Sequence, residues 1–186
     1  MTALRLLLAL VLLAQPVAGQ GCPPAELDVA READLIDALR AAPDAGAARA
    51  YNARLWELWT DAPDAHAQSL LDSGMARLRM GDVGKALKAF DALIAYCPDY
   101  AEGYNQRAFA RYLRQEFAPA LADLDAALAR SPRHIGALSG KALTLMGLGR
   151  DRSALEALEA ALALNPWLSE RALLPVLKQR LGDEEL

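Results

Sequence analysis

Aromatic residues make up only 6% of this 186-residue sequence, and β-branched residues are similarly thin, so the chain lacks the raw material of a sheet. No run of lysine or arginine occurs. With a net charge of -4 and a pI near 5.2, it has no basic stripe to neutralise phosphates, which argues against nucleic acid as a partner. Histidine is confined to His66 and His134. There is no glycine-rich phosphate loop, since Gly136 and Gly140 follow no strand and no lysine-serine pair stands by to hold a nucleotide.

Long apolar runs are also missing. The longest, Leu6 to Ala14, is about half of what a bilayer span needs. Arg5 precedes it and Gln15-Pro16-Val17-Ala18-Gly19-Gln20 follows, the pattern of a cleaved secretory leader. Residues 1–19 are therefore set apart from the fold, no membrane span is expected after cleavage, and the expected location is periplasmic or secreted. Lipidation at Cys22 is disfavoured, because Gly19 stands three positions earlier where such processing sites carry a large aliphatic residue.

What remains is rich in alanine and leucine, with 54% of the chain hydrophobic, which predicts an all-α domain. It also repeats. Pro98, Pro132 and Pro166 are spaced by 34 residues, and around them recur Ala86-Leu87-Lys88-Ala89-Phe90-Asp91, Ala120-Leu121-Ala122-Asp123-Leu124-Asp125 and Ala154-Leu155-Glu156-Ala157-Leu158-Glu159. Each copy reads as two antiparallel helices. A proline opens the first, Gly81 or Gly149 turns the chain between them, and small residues at Ala86, Ala120 and Ala154 let the pair approach closely. The middle copy has Arg114-Gln115-Glu116 at its turn and must manage without glycine.

This pattern resembles the tetratricopeptide repeat, and more particularly the exported repeat proteins of α-proteobacteria. The middle copy matches at Tyr104, Ala108, Tyr112, Phe117, Ala120, Leu124, Ala127 and Pro132. The resemblance implies a right-handed α-solenoid: an N-terminal helical pair over 20–62, three repeats at about 65–97, 99–131 and 133–165, and a C-terminal capping helix and acidic tail over 167–186. Expected helices run 65–80, 83–96, 99–114, 117–130, 133–148 and 151–164. The leading pair, Ala25 to Ala42 and Gly46 to Trp59, keeps the rhythm without the motif, as terminal repeats do. Leu168 to Leu181 carries the spacing of an amphipathic helix.

Catalysis has few candidates. His66 and His134 open first helices two repeats apart, too far to share a metal, and both read as solvent-facing turn residues. Asp123, Asp125, Glu156 and Glu159 read as a solvated face beside arginines. No catalytic residue, metal or cofactor is expected. Cys22 and Cys97 lie at the same edge of the expected stack, so an exported chain permits a disulfide between them, the alternative being two unpaired thiols.

In such a stack the first helices line a concave face, which the resemblance marks as the place where a polypeptide binds. By the family's register its inward residues are Leu71, Met75 and Leu78, then Asn105, Gln106, Phe109 and Tyr112, then Ser139, Leu143 and Met146. Leu71, Met75, Gly136 and Gly140 hold the places where relatives that grip a terminal carboxylate carry basic and asparagine side chains, so that clamp is absent. The expected role is a scaffold or adaptor for another protein or peptide. The alternative is a self-associating module whose groove is filled within a homo-oligomer.

Overall fold

The computed structural model describes residues 21–184 of the chain. The expected leader, and the last two residues of the acidic tail, lie outside the described residues. The helices are α1 (Val29–Arg40), α2 (Ala45–Thr60), α3 (Ala65–Arg79), α4 (Val83–Tyr96), α5 (Ala101–Leu113), α6 (Phe117–Arg130), α7 (Ile135–Gly147), α8 (Asp151–Leu164) and, after a 3-10 turn over Ser169–Leu173, α9 (Leu174–Glu184). No strand occurs among the described residues.

Pairs α3–α4, α5–α6 and α7–α8 are each tightly packed, and the second helix of one leans on the first helix of the next. The pairs close because their crossing positions are small. Ala86, Ala120 and Ala154 are fully buried beside Phe90, Leu124 and Leu158, and a Cβ added at Gly74 would run into the Phe90 ring.

The mid-repeat turns share one hydrogen-bond pattern. At the end of α3, Asp82 N–H donates to Arg77 O at 2.9 Å and Gly81 N–H to Leu78 O at 2.9 Å, with Gly81 at φ 74°. Gly149 repeats the arrangement at φ 67°, and Gln115 takes the same left-handed conformation at φ 60° without being glycine. The chain keeps the turn geometry and bears the local strain.

The prolines act differently from the expectation that they open helices. Tyr100 N–H donates to Cys97 O, His134 N–H to Ser131 O and Leu168 N–H to Asn165 O. Pro98, Pro132 and Pro166 thus sit second in three equivalent four-residue turns, where their fixed φ is favourable. α5 and α7 begin three residues later, at Ala101 and Ile135. α1 likewise starts at Val29 rather than Ala25, because the Asp28 carboxylate caps it through Arg31 N–H at 2.9 Å.

Salt bridges tie successive pairs together. Arg107 on α5 grips Asp123 on α6 through two bonds, at 2.7 and 2.9 Å, and reaches Asp91 on α4 at 2.9 Å. Arg111 adds a third bond to Asp123 at 2.8 Å. Asp123 is buried, which corrects its assignment to a solvated face: a carboxylate leaves water where two guanidinium groups replace that water. Donating to the Asp123 carboxylate raises the Arg107 pKa above its usual value. One repeat on, Lys141 and Asp125 repeat the Arg107–Asp91 link at 2.7 Å.

The largest departure concerns α1 and α2. A terminal repeat would lay α2 along α3, yet the two barely touch. Instead α2 packs on α5 and α1 on α8. Leu35, Ile36, Leu39, Leu55 and Trp59 form a cluster with Ile135, supported by Leu164 and Leu168 from the far end of the stack. Asn165 Nδ2 donates to Asn52 Oδ1 at 3.4 Å across 113 residues of sequence. The pair is a hairpin folded back across the repeats. Cys22, ahead of it, is bonded to Cys97 at the end of α4, with the Cα atoms 5.1 Å apart.

Candidate functional site

Five of the ten expected groove residues, Asn105, Gln106, Phe109, Tyr112 and Leu143, stand around one cleft with a helix from outside the stack. Phe109 and Tyr112 rise from α5, Leu143 from α7 and Trp56 from α2, enclosing about 290 Å³. Phe109 is 51% exposed and Trp56 43%, so two large apolar rings stand in solvent across a concave space. Gly136 and Gly140, one turn apart on α7, put no side chain on the floor; at Gly140 a Cβ would press on Leu124 at 3.2 Å. Asn105 and Gln106 close the polar end.

The other expected groove residues are placed elsewhere. Leu71 is fully buried in the core beside Phe90, and Met75 and Leu78 pack against the same cluster. Met146 leans on the core of the third pair. Ser139 is buried, its hydroxyl donating to Gly136 O at 3.2 Å. Leu71 is thus corrected from groove wall to core: its side chain points between α3 and α4. Trp56 was absent from the expectation, since no local signal tells an amphipathic helix which distant surface to cover.

Beside the cleft lies a buried polar cluster. Glu102 accepts from Asn105 Nδ2 at 3.1 Å and Gln106 Nε2 at 2.6 Å, and meets His134 Nε2 at 2.7 Å. His134 Nδ1 accepts from Ala137 N–H at 3.2 Å, capping α7, so Nε2 carries the proton and donates to Glu102. The Trp59 ring stacks on His134, centroids 4.2 Å apart, while its Nε1–H donates to Glu32 at 2.9 Å. Tyr100 donates to Trp59 O at 2.8 Å, and burial, the leading cause, raises its pKa. His134 is 1% exposed, which corrects its reading as a solvent-facing residue: α2 lies on top of it. His66 does face solvent, its ring against Tyr96 with centroids 4.6 Å apart.

Glu102, His134 and Ser131 together suggest the composition of a nucleophilic triad. The geometry does not supply one. Both His134 nitrogens are engaged, and the Ser131 hydroxyl is buried without a hydrogen-bond partner, so no base reaches it. Among the described residues no group of three or more His, Cys, Asp or Glu side chains is placed to hold a metal ion. Nor, among them, is any helix long and apolar enough to cross a membrane.

No family model matches the sequence. It is 33% identical over 108 residues to a TPR repeat-containing protein of Rhizobium etli, covering 58% of this chain and 53% of that protein. The chain therefore spans about half the length of that relative. Among solved structures, the first TPR domain of Spaghetti bound to the HSP90 peptide SRMEEVD superposes with a TM-score of 0.62 at 23% identity, over 64% of this chain and 96% of that one. The yeast Sti1 TPR2B domain, in its pHsp70 complex, gives 0.58 at 26% identity over 65% and 99%.

Proposed function

We propose that this chain, whose fold is that of tetratricopeptide-repeat domains, is a non-enzymatic scaffold that holds a segment of another polypeptide in the Trp56–Phe109–Tyr112–Leu143 cleft. One observation carries the reading: large apolar rings from two separate helices stand half-exposed around one concave space, where burying them would be favourable and nothing among the described residues does so. The peptide complexes of similar folds support the class of partner. The cleft itself supports a short segment with one or two bulky apolar side chains, because Asn105 and Gln106 line it and, among the described residues, no cation does. The leader-like start and the paired cysteines support an exported setting.

The test is selection of a random peptide library against the full chain, followed by affinity measurement. Enriched peptides should carry aromatic or leucine side chains and lose at least tenfold in affinity on Phe109→Ala. Peptides that bind parent and variant alike would place the site elsewhere, and dimers forming in the absence of peptide would favour self-association.

A further inference from the structure

Four polar side chains of the inner face are buried. Glu102 and His134 are 1% exposed, Gln106 6% and Asn105 8%. They are held at the start of α5 and α7, where a concave repeat surface would meet its ligand. What lies over His134 is an amphipathic helix of this chain, α2, which puts Leu55 and Trp59, one turn apart, into the apolar cluster and lays the Trp59 ring on the imidazole. The covering is unlike the packing inside the stack. Its apolar support from the repeats is Ile135, Leu164 and Leu168, supplemented by single polar bonds from Tyr100 and Asn165.

Both ends of the hairpin converge on one place. Cys22 and Ala25 ahead of it, and Ala62 behind it, pack against the cluster that contains Cys97 and Tyr100. On one side the connection is covalent through Cys22–Cys97. On the other it is the four-residue link between α2 and α3, which includes Pro63. Without the disulfide the hairpin would hang from that link alone, and its lifted state would gain conformational freedom that the clasped chain lacks.

We propose that α2 occupies, within the molecule, the position a partner's amphipathic helix takes on the inner face, and that the Cys22–Cys97 disulfide clasps this cover in place. The surface beneath fits a helix presenting a leucine and an aromatic residue one turn apart, the aromatic to stack on His134. The surface beneath α2 adjoins the open cleft, of which Trp56 on the same helix is a wall. A helix in the place of α2 and a peptide in the cleft are therefore alternative occupants, and the cover is measurable with no partner present.

The chain supplies its own reporters, because its two histidines differ in exposure. Diethyl pyrocarbonate, with mass spectrometry to assign the sites, should modify His66 in the oxidised parent and leave His134 nearly untouched. In Cys22→Ser, His134 should react at least tenfold faster while His66 is unchanged and the helical circular dichroism is retained. Equal His134 rates in parent and variant would mean that the disulfide is no clasp. Loss of helix signal in step with His134 reactivity would mean that it supports the repeats instead; either result overturns the proposal. Failure of peptide capture with the His134 difference intact would reject the peptide-binding reading alone.

Discussion

Gln115 holds a backbone conformation that its two counterparts, Gly81 and Gly149, adopt freely. A non-glycine residue there costs roughly 1 to 2 kcal/mol, partly recovered because glycine would loosen the unfolded chain. The side chain is exposed, so little is lost by removing it. Gln115→Gly should therefore raise stability by about 0.5 to 1 kcal/mol, read as a higher urea midpoint at unchanged slope; a lowered midpoint would show that Gln115 is not strained. Asp123 makes the opposite case. It takes three bonds from two guanidinium groups, and bonds to charged groups contribute about 1.5 to 3 kcal/mol each before compensation. Asp123→Asn keeps the shape and leaves Arg107 its bond to Asp91. It should cost about 2 kcal/mol in urea unfolding, and a midpoint equal to the parent's would return Asp123 to the solvated role first read for it.

At the scale of elements, much was legible because the repeat pins the register. Ala86, Ala120 and Ala154 mark where helices cross, and α4, α6 and α8 fall where those blocks predict. The prolines misled by position rather than by kind: Pro98 and Pro132 have the φ suited either to a first helical turn or to a preceding β-turn, and composition cannot tell which. The capping segment was similarly half-legible. Its apolar spacing is helical, yet the part before Pro175 tightens into a 3-10 turn and only Leu177 is fully buried. The crossing at Ala120 is the sharpest test of the register. Ala120 has no exposed surface, so Ala120→Leu forces added volume into a closed contact and should cost about 1 to 3 kcal/mol. A variant melting within a degree of the parent would mean that the α5–α6 contact has room the structure does not show.

For the whole molecule, periodicity reports which face of a helix is apolar and is silent about which distant surface that face meets. Leu55 and Trp59 would have suited a terminal repeat as well as a cover, so neither the burial of His134 nor the arrival of Trp56 at the inner face could be read in advance. The cleft is accordingly a product of three segments remote in sequence, which makes a distinctive prediction. Phe109 and Trp56 are both substantially exposed, so truncating either should change stability by less than about 0.5 kcal/mol. Tyr112 is half-buried with its ring 5.6 Å from Phe117, so its truncation mixes folding with binding and is the poorer probe. If a bound peptide is pinched between the two walls, Phe109→Ala and Trp56→Ala should each weaken a library-selected peptide by at least tenfold, or about 1.4 kcal/mol. The readout is isothermal titration on variants whose circular dichroism matches the parent. Loss with Phe109→Ala alone would confine the site to α5 and α7, and the hairpin would then be a neighbour of the cleft rather than one of its walls.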